Sequence, residues 1–309
     1  MMGDFPGRPI ARLVYVPQVF TRVIRDSDGQ TPIVIRETRI VEKTIRVPAA
    51  SRTFKIGENE SPLPRDRVFF QFNYFQDLWG TVNQRIAPVG EIHEYRQGFG
   101  FENTFLGGRA SLGGRLPLSA YSIDSDVAGF GGTAYRVGDF AAVLKGAPYL
   151  DLANQRVFTL GVAITLPTAQ GVPGPFDRVS IQPFAAWLWM FGDFFIQSFH
   201  GIAIPWDDDD VTFVFNDIGV GYFIYRSPIP TALLTGIAPT IEFHVNNPVN
   251  HRGVSDLTDP AGTPDWASFT VGATLWFLRR GTLAIGGNFP VTGPNPYDFE
   301  VLCQLNWFF

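Results

Sequence analysis

The sequence predicts an all-β fold, a 12-stranded antiparallel transmembrane β-barrel preceded by an extended or β-like N-terminal arm. Three observations carry that prediction. In the last stretch, Tyr297, Phe299, Val301, Cys303, Leu305, Trp307 and Phe309 share one face, while Asp298, Glu300, Leu302, Gln304 and Asn306 share the other. A period of two, with one face suited to lipid and the other mostly to water, is the pattern of a membrane-crossing strand. Similar alternating segments recur from residue 67 onward, and twelve can be counted. The connections between them also sort by length, short on one side and long on the other, which is the polarity of such barrels.

Composition agrees with a large apolar surface. Charged residues make up 17% of the chain and aromatics 15%, with 29 Phe, 32 Gly and 24 Pro among 309 residues. A lipid-facing wall or a large core would each use that much Phe, and no apolar run reaches the length of a membrane helix. Cys303 is the lone cysteine, so no intrachain disulfide can form; on the apolar face it is read as filler. The net charge of −5 divides unevenly: residues 1–66 carry eleven basic and eight acidic residues, a balance of +3, and residues 67–309 carry −8. That shift marks a boundary between an arm (1–66) and a barrel (67–309), and neither part is basic enough for nucleic acid.

The arm interleaves Arg with β-branched residues over Thr31–Val47, and Asp26-Ser27-Asp28-Gly29 supplies a turn between two β-like runs. It reads as an extended or disordered extension, or as a β-arm reaching a partner, a second copy or the barrel mouth. It has few residues for a core of its own, which argues against an enclosed plug.

The predicted strands are 67–75, 92–105, 109–118, 136–145, 156–166, 179–190, 193–204, 212–225, 237–246, 267–278, 281–289 and 297–309. Most approach or exceed the roughly 9–11 residues that a tilted strand needs to cross a bilayer. With the first strand running outward, tight inner turns fall at 106–108, 191–192 and 279–280, with longer ones at 146–155 and 226–236. The outer loops are 76–91, 119–135, 167–178, 205–211, 247–266 and 290–296.

The alternation puts Phe70, Phe72 and Tyr74, then Tyr95, Phe99, Phe101 and Phe105, and later Ile218, Val220, Tyr222 and Ile224, on the outer wall. Strand 193–204 is ambiguous in phase. Trp79, Trp187, Trp189, Trp206, Trp266 and Trp307 fall near strand ends, as interfacial girdles require. The expected lumen lining comprises Gln71, Asn73, Glu94, Arg96, Glu102, Arg115, Asp139, Lys145, Gln182, Asp217, Glu242, His244, Asn246, Thr270, Asp298, Glu300 and Gln304. Twelve strands enclose more than side chains fill in an eight-stranded barrel and less than an open porin. A narrow, partly obstructed passage follows. Seven of the lining residues are acids and three are bases, which favours cations or neutral polar solutes over anions. The same charges could instead brace the wall, with Glu94 or Glu102 near Arg115.

Other chemistry is sparsely signalled. The run Asp207-Asp208-Asp209-Asp210 is a weak metal candidate; it lacks the spacing and Gly of a calcium loop and reads as a solvated acidic loop. Four scattered His and one Cys give no metal-ligand spacing, and Gly98-Phe99-Gly100 lies in a strand with no helix after it. No catalytic residue and no cofactor is expected.

Resemblances sharpen this reading. A final amphipathic strand ending in Trp307 and Phe309 resembles the assembly signal of bacterial outer-membrane barrels. It implies an integral outer-membrane location, a periplasmic arm, and partners in membrane lipid and the barrel-assembly machinery. The arm adds an envelope partner or a second copy. No signal peptide is visible in Met1–Pro6, so that location implies a mature or shortened chain. The Phe/Gly-rich layout, the strand Gly161–Thr168 leading into an outer loop, and the aromatic terminus resemble the transporters of the MetA-pathway of phenol degradation family. That resemblance implies passive uptake of small, aromatic compounds.

Two alternatives stay open. One is a structural or assembly barrel whose arm binds an envelope partner. The other is a lipid-modifying enzyme, since a twelve-stranded outer-membrane phospholipase carries Ser and His on its lipid-facing wall, and Ser198 and His200 lie two apart on one strand. Their order, and the lack of an obvious Asn partner nearby, depart from that family's pattern.

Overall fold

A computed structural model of the chain describes residues 59–78, 80, 91–124, 132–171, 180–206, 212–229, 232–250, 265–292 and 295–309, together with the backbone of 10–25 and 32–47. The Asp26–Gly29 turn, Trp79 and the Asp207–Asp210 run lie outside the described residues. Seventeen strands appear among the described residues. In the arm, β1 (Ile10–Arg25) and β2 (Pro32–Val47) pair antiparallel with each other. Then come β3 (Arg67–Gln76), β4 (Ile92–Phe105), β5 (Ala110–Ile123), β6 (Gly132–Val137), β7 (Phe140–Asp151) and β8 (Arg156–Leu166). They are followed by β9 (Gln170–Gly171), β10 (Ser180–Phe191), β11 (Phe194–Pro205), β12 (Phe213–Tyr222) and β13 (Tyr225–Arg226). The chain ends with β14 (Leu234–Pro248), β15 (Trp266–Phe277), β16 (Gly281–Pro290) and β17 (Phe299–Phe308).

Twelve of these form a closed antiparallel barrel, because β17 pairs with β3, placing Cys303 opposite Phe72. Closure leaves the staves no open edge. The three short strands are rim additions: β6 continues along β5, β9 pairs β6, and β13 pairs β14. The side chains alternate as the sequence implies. Phe99, Leu160, Ile218, Ile241 and Val271 are 44–53% exposed on the outer wall, an apolar surface suited to hydrocarbon rather than water.

Two prolines account for the main departures from the predicted strands. The segment expected at 136–145 is broken at Gly138–Asp139. There the ladder jumps from Arg115↔Ala141 to Leu118↔Val137, passing Pro117, which has no N–H to give. Gly138 N donates to the Pro117 carbonyl at 2.7 Å instead. A second bulge, between Gly146 and Tyr149, takes up Pro148 and lets β7 run on to Asp151. The inner connection expected at 146–155 therefore shrinks to the four residues 152–155. The other tight inner turns have the backbone they need. Gly192 has φ +66 in its two-residue hairpin, and Leu278 and Arg279 have φ 50 and 58, the positive angles of right-twisting turns.

The abundance of both Phe and Gly has a local cause. Phe69, Phe184 and Phe195 point inward and lie over Gly100, Gly161 and Gly221, their direct cross-strand partners. A Cβ on Gly161 would sit 2.2 Å from Cζ of Phe184. Each ring covers the hole left by a glycine and fills the lumen, a pairing that also pins register. Gly161→Val should therefore displace Phe184, at a cost of about 1–3 kcal/mol from overpacking. A lower urea midpoint for loss of the heat-modifiable gel band is the measurement; an unchanged midpoint would mean the ring moves freely.

Candidate functional site

The barrel interior is the candidate site, and its two halves differ. In the outer half the lumen is packed. Phe75 meets Tyr297 edge-on at 5.2 Å, and Tyr297 meets Trp266 at 6.2 Å. On the opposite wall, Phe184 stacks on Phe199 at 5.1 Å and Phe213 on Phe215 at 6.0 Å, with Ala163, Ala186 and Ala203 completing a buried apolar cluster. One wall of the lumen, β7 to β12, is thus largely apolar.

The facing wall is a hydrogen-bonded lattice. Glu94 receives two bonds from Arg96, at 3.0 and 2.8 Å, and further bonds from Ser119 and Tyr121. Asn73 donates to Glu300 at 2.6 Å, Gln71 to Asn73 at 2.9 Å, and Arg115 to Gln71 at 3.4 Å. His244 joins Asp217 at 2.9 Å through Nδ1 and Thr270 at 2.8 Å through Nε2. Buried charges survive in such a place because each has partners. By contrast, both amide atoms of Gln182 and of Asn246 are buried without a hydrogen bond.

The inner half is open. A cavity of about 450 Å³ runs from the inner rim, at Leu152, Arg226 and Phe308, up to Thr270 and Leu302. Its lining mixes Leu188, Met190, Phe195 and Trp276 with Gln197, Glu242 and Gln304. The segment before the first stave also enters it. Asn59, Glu60, Pro62 and Pro64 are buried, although the sequence assigns them to the tail of the arm. Lys145 holds this segment through Ser61 O at 2.7 Å and Glu60 at 3.6 Å, Thr159 donates to Pro62 O, and Arg67 donates to Asn59 at 3.2 Å. Lys145 and Arg67 also share Glu102, each at 2.9 Å. Residues 59–66 thus belong with the barrel interior. They need no core of their own because they borrow the barrel's.

Of the expected lining, Gln71, Asn73, Glu94, Arg96, Glu102, Arg115, Lys145, Gln182, Asp217, Glu242, His244, Asn246, Thr270, Glu300 and Gln304 are buried. Two residues need correction. Asp139 lies in the break before β7 and accepts the Ala169 N–H at 2.9 Å, so it belongs to the outer rim. Asp298 is exposed just before β17, its N–H bonded to Gln76 O at 2.9 Å. Tyr297, expected on the outer face, is instead fully buried and donates to Asn288 at 2.6 Å, because the period of two begins only at Phe299. Trp266 likewise is buried rather than part of a girdle.

Among the described residues the buried charges are Glu60, Glu94, Glu102, Asp217, Glu242 and Glu300 against Arg67, Arg96, Arg115 and Lys145. At the outer rim Asp77 lies near Asp298 and Glu91; partial burial, then those two charges, raises its carboxyl pKa above the usual value. Both observations describe an interior and mouth with an acidic excess.

Strand β11, ambiguous in the sequence, turns Phe195, Gln197, Phe199 and Ala203 inward and His200 outward. On that outer wall His200 meets Asn216, a partner hidden from a sequence scan because it lies sixteen residues away yet directly across the ladder.

The class defined by this architecture is the closed twelve-stranded antiparallel β-barrel with an apolar outer wall. No protein-family model and no curated relative matches the chain. Among solved structures it is similar to an outer membrane channel from Pseudomonas putida F1, at 14% identity and a TM-score of 0.57, over 82% of this chain and 98% of that one. It also aligns with the KdgM porin, at 8% identity and a TM-score of 0.43, over 79% and 99%. A third is the translocator domain of the autotransporter NalP from Neisseria meningitidis, at 13% and 0.45, over 82% and 91%. The first of these likenesses shows the fold.

Proposed function

We propose that the chain is an outer-membrane channel that passes small solutes, aromatic or cationic, without a cofactor. The observation that carries this reading is the division of the interior: a vestibule of about 450 Å³ below, and above it an apolar aromatic wall facing a polar one. The chemistry of these walls matches a small aromatic solute, whose ring would pass along Phe184, Phe199 and Phe215 when these packed rings move aside, with its polar groups along the opposite lattice. The buried, unbonded amides of Gln182 and Asn246 support it, since a solute or water in transit would satisfy them. The two sixteen-residue strands β1 and β2, paired with each other, offer edges to a periplasmic partner or a second copy.

Planar-bilayer recording tests the channel. We expect a small conductance with modest cation preference, and Glu242→Gln, which removes an acid from the vestibule wall, should lower the cation-to-anion permeability ratio by about a factor of two. A clearly anion-selective pore, or a ratio indifferent to Glu242, would contradict the charge reading.

A further inference from the structure

The outer wall carries a second feature that a channel does not use. Ser198 and His200 are the fifth and seventh residues of β11, counted from its inner turn, and Asn216 faces His200 across the ladder on β12. Ser198 Oγ lies 2.9 Å from His200 Nε2, and His200 Nδ1 lies 2.9 Å from Asn216 Oδ1. An amide oxygen can only accept, so Nδ1 carries the ring proton and leaves Nε2 bare. A bare Nε2 beside a serine hydroxyl is a general base in position, with the ring held in its tautomer by a third group. The Ser198 hydroxyl also reaches the Asp217 carbonyl at 2.6 Å, so its proton has two acceptors, and attack begins from the rotamer pointing at Nε2.

Three polar side chains in an otherwise apolar, lipid-facing band are unfavourable unless they serve a function. Their depth indicates what they would meet. Ser198 lies directly across from Trp187, which packs at 5.2 Å against Trp189, the one nearer the inner turn. Aromatic girdles mark the membrane interface, where lipid ester carbonyls lie, and Ser198 sits deeper than Trp189, so an acyl ester must dip along the wall to reach it.

We propose that Ser198, His200 and Asn216 form an acyl-ester hydrolase site for membrane phospholipid on the outer wall. Ser198 Oγ bonds to the ester carbonyl carbon as its proton passes to His200 Nε2. The bond from that carbon to the lipid alcohol breaks, and the alcohol leaves with the proton. Water then attacks the acyl-serine, giving its proton to His200; the fatty acid is released and Ser198 regains the proton. Asn216 acts as a positioning residue. The backbone N–H groups around Ser198 are committed to the ladders with β10 and β12, so no oxyanion hole is built in and turnover is slow. Ser198 is also 1% exposed, beside Trp187, so the indole must turn aside for an ester to reach it.

Covalent capture is the appropriate test and is independent of conductance. The full chain, folded in phospholipid vesicles, is treated with an alkyl fluorophosphonate and followed by intact mass. We expect a single adduct that is absent in Ser198→Ala, forms about tenfold or more slowly in His200→Ala and Asn216→Ala, recovers in Asn216→Asp, and forms faster in Trp187→Ala. Each variant is first shown to keep the heat-modifiable gel band; one that loses it is replaced by Ser198→Thr or His200→Gln. No adduct in either the parent or Trp187→Ala, or an adduct that persists in Ser198→Ala, overturns the proposal.

Discussion

The double substitution Phe184→Ala, Phe199→Ala should give a barrel whose single-channel conductance is several-fold above that of the parent. Both rings are inward, nearly unexposed and stacked at 5.1 Å at mid-height, just where the inner vestibule ends. Removing them hollows out the packed layer between the vestibule and Phe213 and Phe215. The same change is costly, since each Phe→Ala in a packed interior loses about 3–5 kcal/mol. Barrel folding must therefore be checked by urea titration before conductance is read. A folded double variant with parental conductance would show that ions pass elsewhere, along the polar wall of Arg96, Arg115 and His244. A loss of aromatic-solute uptake alongside the rise in ion flux would indicate that these rings guide the solute.

The staves were legible in the sequence because a wall between lipid and lumen imposes a period of two on every strand. Phe70–Tyr74 on β3 and Phe158–Leu166 on β8 show it without interruption. It failed where the constraint ends. Tyr297 and Asp298 continue the alternation on paper, but they precede β17 and are free to exchange faces. Trp266 sits at the first position of β15, where a girdle residue and a lumen cap have the same sequence address. The breaks at Pro117 and Pro148 were not read from the sequence, because the register around a proline depends on the neighbouring strand. The site was harder to read for a related reason. Pairs such as Asn73–Glu300 and His200–Asn216 come from ladder register, which a single strand's pattern does not contain. The entry of residues 59–66 into the lumen depends on empty space, and no composition reports that.

Lys145→Met should release residues 59–66 from the inner vestibule and destabilise the barrel in the same step. The Lys145 ammonium is buried and serves three acceptors: Glu102 at 2.9 Å, Glu60 at 3.6 Å and the Ser61 carbonyl at 2.7 Å. Met fills a similar volume, so the loss is electrostatic rather than a cavity. Glu102 keeps Arg67 and Ser111, but Glu60 loses a counter-charge while still buried in the vestibule wall. Removing one partner of a buried pair typically costs about 3–5 kcal/mol. Here the segment can escape part of that cost by leaving, because water at the inner mouth solvates Glu60 once it is outside. The expected outcome is faster proteolysis between residues 59 and 66, a larger vestibule, and a conductance increase smaller than that of the double Phe variant, since the outer half stays packed. Adding Glu60→Gln should recover much of the lost stability, because the acid that Lys145 faced is then neutral. If Lys145→Met were as protease-resistant as the parent and equally stable, the segment would be held without Lys145, by contacts such as those from Thr159, Arg67 and Thr104 and the Arg65 N–H on Glu102.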